Sequence, residues 1–205
     1  MGRGRSILIY SFEPFLQWKV NSATMLLRSM KKQGLIPPAV THMVLPVVFE
    51  KAAEKVLRAA RSSTPDIILG IGQAAGYTKL SLERIALNVN HATRPDNRRQ
   101  KPHDELIREG GPLAYWTTIP YKKMEELSRS RKFPFRLSFH AGTYVCNNVL
   151  FMVLDALERE KIPALAGFLH VPLIRTKKKG KLSLEKLSEA MGAVLGLLAS
   201  DESLS

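Results

Sequence analysis

Cys146, the only cysteine of the chain, stands in the run His140-Ala141-Gly142-Thr143-Tyr144-Val145-Cys146-Asn147-Asn148. Gly142 permits a tight turn out of a preceding strand, and Thr143 is a good helix N-cap. This reading puts Cys146 at the third helical position. Free N–H groups and the helix dipole favour an anion there, which raises the thiolate fraction and suits a nucleophile. A lone cysteine on an apolar helix is also a common small core residue, so its partners must decide. A thiol nucleophile needs a proton acceptor. Of His42, His91, His103, His140 and His170, the last ends the apolar run Leu165–Leu169, just before Val171-Pro172. Functional side chains of open α/β sheets gather at strand carboxyl ends and helix N-termini, so His170 is placed to meet Cys146. His140, in the turn before the helix, is the rival base. A third group must fix the imidazole tautomer. Glu83, which interrupts Leu80-Ser81-Leu82 and Ile85-Ala86-Leu87, is the candidate, and a surface ion pair with Arg84 is its alternative reading.

Holding three such groups together requires strands and helices in alternation, and the hydrophobic periodicity supplies them. Strands are expected at Ser6–Tyr10, Thr41–Val48 (an edge or bend, given Pro46), Asp66–Gly72, within Leu82–Val89, at Phe135–Phe139 and at Ala164–Val171. Helices are expected from Ser22 to Gln33, capped by Asn21 and ended by Gly34, and over Phe49–Ser62, Pro120–Lys132, Thr143–Glu160 and Ser183–Ala199. The stretch His91–Thr117, rich in Pro, Gly and Asp, reads as a long irregular excursion of the kind that carries function. Several strands are continuously apolar and so covered on both faces. The pattern implies a single α/β domain over residues 1–205, a helix–sheet–helix sandwich without repeat or linker. Arg175–Lys181 reads as a basic surface loop.

The remaining composition narrows the classes of function. At 205 residues with 45% hydrophobic and 24% charged residues the chain is globular, not disordered. No apolar run reaches the roughly 18–20 residues of a membrane span, and the short apolar Ser6–Ser11 reads as a first strand, not a signal peptide. One cysteine excludes an intrachain disulfide or a multi-thiolate metal site and suits a reducing cytoplasm. No histidine–carboxylate spacing suggests a metal. Gly70, Gly72 and Gly76 lack the last spacing of a dinucleotide fingerprint. The net charge of +13 lies in scattered clusters without interleaved aromatics, which disfavours a nucleic-acid surface.

Five blocks in order resemble the pyroglutamyl peptidase I (pyrrolidone-carboxylate peptidase) family of cysteine peptidases. They are Ser11-Phe12-Glu13-Pro14-Phe15 with Val20-Asn21-Ser22; Gly72-Gln73-Ala74-Ala75-Gly76 with Glu83-Arg84-Ile85-Ala86-Leu87-Asn88; and Pro95-Asp96-Asn97 with Gly110–Tyr115 and Thr118-Ile119-Pro120. Ser138 with Ala141–Asn147, and Gly167-Phe168-Leu169-His170-Val171-Pro172, complete the set. The resemblance implies an α/β/α domain around a twisted mixed sheet, often assembled as homo-oligomers, with no cofactor. It implies a triad of Cys146, His170 and Glu83 that releases an N-terminal pyroglutamyl residue from peptides or proteins through a thioester. It also implies aromatic faces for the flat, neutral lactam from Phe12 and Phe15, with core packing as the alternative for both. Gln73 would position substrate or acyl oxygen, Asn21 would pin its loop, and Tyr144 stands where the family has Phe. The chain departs from the family pattern at Leu16-Gln17 (Gly-Gly in the family), at Tyr77 (Arg) and at Thr93 (Arg). Arg94 lies one position from the lost arginine, and alternation along an extended segment would point it the other way. These departures leave two rivals: a divergent pocket for another small N-acyl or cyclic amide, and a non-enzymatic basic binding module.

Overall fold

A computed structural model describes residues 4–174 and 182–200, so the basic run Arg175–Lys181 lies outside the described residues. Six strands form a mixed, mostly parallel sheet in the order β2 (Val40–Leu45), β1 (Ile7–Phe12), β3 (Ile67–Gln73), β8 (Leu165–Val171), β4 (Leu80–Glu83), β7 (Phe135–Ser138). β2, β1, β3 and β8 run parallel, β4 is antiparallel to β8, and β7 is parallel to β4. Every residue of β1 and β3 is buried, as their unbroken apolar text predicts for strands covered on both faces. The edge strands β2 and β7 are only partly buried.

Two apolar cores flank the sheet. One packs Tyr10, Phe12 and Phe168 under α2 (Lys51–Ser63) and α4 (Val145–Arg159). The other packs Ile9, Leu69 and Leu169 under α1 (Ser22–Lys32), α3 (Tyr121–Arg131) and α5 (Leu184–Ala199). Alternation along a strand makes this division: Phe168 and His170 face the α4 side, Leu169 and Val171 the other. α1 starts and stops as its sequence says. The Asn21 side chain accepts from the Ala23 N–H at 3.0 Å, and Gly34 takes φ +68° while the Leu35 N–H bonds back to the Met30 carbonyl, a Schellman-type end.

Three expectations need correction. The strand placed within Leu82–Val89 is two strands in two sheets: after β4 the chain turns at Arg84, and β5 (Ile85–Leu87) pairs antiparallel with β6 (Ala114–Trp116). Arg84 sends its guanidinium over the Tyr121 ring, 3.6 Å from the centroid, so it does not serve Glu83 as a surface ion partner. The stretch His91–Thr117 is less irregular than its composition suggests. It contains β6, and its first part is a hairpin closed by backbone bonds between Asn90 and Glu105 and from Ala92 to Pro102. The Asp96 carboxylate ties that hairpin by accepting from the N–H groups of Phe49, Arg98 and Gln100. Finally, the N-cap of α4 is Tyr144, not Thr143. The Thr143 hydroxyl donates instead to the His91 carbonyl at 2.8 Å, and Cys146 is the second helical residue. No helix among the described residues is long and apolar enough to cross a membrane.

Candidate active site

His170 lies one residue from the end of β8, opposite Gly72 of β3 and Ser81 of β4. Glu83 pairs with Phe168 in the same ladder, two residues along and on the same face. The diagonal brings the imidazole Nδ1 within 2.8 Å of Glu83 Oε1. Both groups are buried, Glu83 completely. A carboxylate so enclosed is costly unless a cation or donor meets it, and the imidazole is what meets it. Fixing Nδ1 on Glu83 leaves Nε2, the ring's other nitrogen, for the Cys146 sulfur, which lies near enough to raise the imidazole's pKa. Burial pulls the imidazole toward its neutral form. Hydrogen bonds to Cys146 and Glu83, and the negative charges of both, more than offset this and hold its pKa up at about 9. The arrangement therefore favours the imidazolium form of His170 beside the Cys146 sulfur.

The rival base His140 is exposed, and its Nδ1 accepts from the Gly142 N–H at 3.2 Å. Cys146 is half-buried in the first turn of α4. Because Tyr144 offers no side-chain cap, the first N–H groups of that helix remain directed at the space before it. Two asparagines that sequence reasoning gave no task anchor this end. Asn147 accepts from the Leu87 N–H and donates to the carbonyls of Leu87 and Val89. Asn148 accepts from the Glu50 N–H and donates to Asn90 Oδ1. Buried amides at the start of an apolar helix must find partners, and that signal was in the text. Here the partners are Glu50, just before α2, and the end of β5 with the residues that follow it, Leu87–Asn90.

The glycines of β3 make room for the rings. A Cβ on Gly72 would lie 2.8 Å from two Phe168 ring carbons and 3.0 Å from His170 Cδ2, and one on Gly70 would collide with Phe168 and Tyr10. Their spacing serves packing, not a phosphate. Phe168 packs against the imidazole with centroids 4.8 Å apart, and Tyr77 meets it edge-on at 5.7 Å. Arg136 lies over the Tyr77 ring at 3.9 Å and donates from Nε to Ser81 Oγ. An aromatic and a neighbouring cation thus occupy the space beside His170.

The other sequence candidates divide between core and cleft. Phe12 is buried against Tyr10 and Phe168. Asn21 caps α1 and donates weakly to the Glu13 carbonyl, tying down the loop between β1 and α1. Gln73 Oε1 accepts from the Ser22 N–H at 2.7 Å, while its buried Nε2 has no hydrogen-bond partner among the described residues. Phe15 and Tyr144 stack at 6.3 Å and, with Leu16, Thr93, Arg94 and Thr143, line a cleft of about 220 Å³. Burial and the Asp96 and Cys146 charges push the Tyr144 phenol up to about 12, and its hydroxyl donates to the Pro95 carbonyl. Thr93 and Arg94 border the same cleft, contrary to the expected alternation, because they form a bend and not an extended segment.

The sequence profile of the pyroglutamyl peptidase family matches residues 5–198. Among curated relatives, the pyrrolidone-carboxylate peptidase of Brevibacillus brevis is 38% identical over 173 residues, 83% of this chain and 79% of that one. That of Thermococcus kodakarensis is 32% identical over 199 residues, 95% of this chain and 96% of the relative. The crystal structure of Bacillus amyloliquefaciens pyroglutamyl peptidase I superposes with a TM-score of 0.86 at 32% identity, covering 95% of this chain and 96% of that one. On sequence and on fold alike, this chain belongs to the pyroglutamyl peptidase family.

Proposed function

We infer that this protein is a cysteine exopeptidase that hydrolyses the amide bond after an N-terminal pyroglutamyl residue, with Cys146 as nucleophile, His170 as acid–base and Glu83 as the group that orients the ring. The observation that carries the reading is one buried imidazole shared between a carboxylate at 2.8 Å and the only cysteine sulfur of the chain. The sulfur anion attacks the pyroglutamyl carbonyl carbon. Negative charge moves to the carbonyl oxygen, where the first N–H groups of α4 stabilise it as it develops. The C–N bond then breaks as the imidazolium gives its proton to the departing amine. His170, now neutral, takes a proton from water, which attacks the thioester; pyroglutamate leaves and the sulfur anion is restored.

Pyroglutamate is flat, small and uncharged, so a site for it needs ring faces and a few amide-matched bonds. Phe15 and Tyr144 supply faces, and the unpartnered Gln73 Nε2 supplies a donor. Phe12, at the base of the same cluster, supports Phe168 behind the imidazole. Arg94, at the cleft rim, stands in for the arginine replaced by Thr93. The reading is of a single-domain enzyme of the reducing cytoplasm, where a lone nucleophilic thiol stays usable, that acts on peptides as a homo-oligomer. The test is cleavage of a pyroglutamyl fluorogenic amide beside an alanyl amide, in reductant. Cleavage of the first alone, abolished in Cys146→Ala, is expected; cleavage that survives Cys146→Ala overturns the reading.

A further inference from the structure

Outside the catalytic cluster, one other set of ligating side chains converges among the described residues. His91 Nδ1 lies 2.8 Å from one oxygen of Asp104, and His103 Nδ1 lies 3.5 Å from the other. One ligand atom from each of the three residues falls within 4.8 Å of the others. We propose that His91, His103 and Asp104 form a binding site for a divalent transition-metal ion of the zinc class, on the hairpin that borders the cleft of Phe15 and Tyr144.

Zinc binds imidazole nitrogen and carboxylate oxygen at about 2.0–2.2 Å, which sets tetrahedral ligand atoms roughly 3.3 Å apart. His91 Nδ1 lies 2.8 Å from Asp104 Oδ1, and all three ligand atoms lie within 4.8 Å of one another, so small side-chain rotations reach that spacing. Each imidazole would bind through Nδ1 with a proton on Nε2, so at His91 the ion displaces the proton that Nδ1 shares with Asp104. Two imidazoles and a carboxylate suit zinc, nickel or copper over magnesium or calcium, which prefer all-oxygen shells. Three protein ligands leave the remaining position to water. Two backbone rungs, Asn90 with Glu105 and Ala92 with Pro102, hold the two sides of the hairpin in register, so little ordering remains for the ion to impose. Arg94, Arg98, Arg99 and Lys101 share the hairpin, but all are exposed, where water and salt screen their repulsion. His91 also borders the cleft, and its backbone exchanges hydrogen bonds with Thr143, just before α4. Sequence spacing did not announce this site, because a hairpin and not helical periodicity brings His91 and His103 together.

The test is calorimetric titration of zinc chloride into the full chain carrying Cys146→Ala, which removes the competing thiol. One equivalent should bind. Adding His103→Ala, at a side chain 80% exposed, should weaken binding by about tenfold or more, since losses even one shell further out cost that much. Adding Asp104→Asn instead, which tolerates the left-handed backbone at φ +54°, should do the same. Unchanged circular dichroism in chelator separates loss of a ligand from loss of fold. No uptake by the Cys146→Ala chain, or equal affinity after either further substitution, overturns the proposal; equal affinity would mean that the ion sits elsewhere, His170 and Glu83 included.

Discussion

Glu83→Gln removes one negative charge from the catalytic cluster and almost nothing else. The carboxylate is fully buried, one oxygen meets His170 Nδ1 at 2.8 Å, and the other has no hydrogen-bond partner among the described residues. The imidazole rises from 6.5 to about 9 against the pull of burial, a difference of roughly 3 kcal/mol in favour of the imidazolium. Cys146 and Glu83 together supply that and also offset burial. A hydrogen bond to a charged group contributes about 1.5–3 kcal/mol, or about 10- to 100-fold in the population of the imidazolium. A glutamine can also turn its NH2 group toward Nδ1 and favour the wrong tautomer, which adds to the loss. The expected fall in kcat/KM on a pyroglutamyl amide is therefore about 10- to 100-fold at neutral pH. The pH profile should change with it. Activity in the parent falls as pH rises through about 9, where the imidazolium that protonates the leaving amine loses its proton. Without the carboxylate, burial still pulls the imidazole down, so this limb should move to lower pH. A variant within about threefold of the parent, with its alkaline limb unmoved, would refute the reasoning.

Further outcomes follow from neighbouring contacts. Gly72→Ala puts a methyl group 2.8 Å from the Phe168 ring and 3.0 Å from His170 Cδ2; overpacking of this kind costs about 1–3 kcal/mol. Denaturant unfolding should show that loss, and turnover should fall further, about 100-fold for an ångström of ring displacement. Gln73→Met removes the acceptor for the Ser22 N–H and the unpartnered donor; stability should drop by about 1 kcal/mol, and KM for pyroglutamyl amides should rise more than kcat falls. His42 is held neutral, its pKa lowered to about 4 by burial and by Arg28 and Lys31. Its contribution to stability is thus complete above 6.5 and lost as pH falls toward 4. Thermal unfolding between those values should be less acid-sensitive in His42→Gln than in the parent.

What the sequence disclosed, and what it withheld, divides along physical lines. β1, β3 and β8 could be read because their apolar runs are buried on both faces, and α1 because Asn21 and Gly34 mark its ends chemically. The approach of Glu83 to His170 was inferable only in outline. Both sit in interrupted or terminating strands, but their contact depends on β4 lying antiparallel beside β8, which no local pattern records. Thr143 misled because its hydroxyl had a better use in bonding to the His91 carbonyl than in capping α4. The glycines of β3 could be read only as a spacing unfit for a dinucleotide, because what approaches them, Phe168 and His170, lies far along the chain. Tyr77 and Arg136 were hidden for the same reason: Tyr77 meets His170 edge-on from the segment after β3, and Arg136 of the edge strand β7 lies over that ring.

The most direct measurement is active-site labelling with a pyroglutamyl chloromethyl ketone, followed by peptide mass spectrometry. The account predicts that one label per chain on Cys146 abolishes activity in proportion to its incorporation, and that excess pyroglutamyl amide protects. A label on any other residue at complete inactivation, or full activity in protein labelled at Cys146, would contradict it.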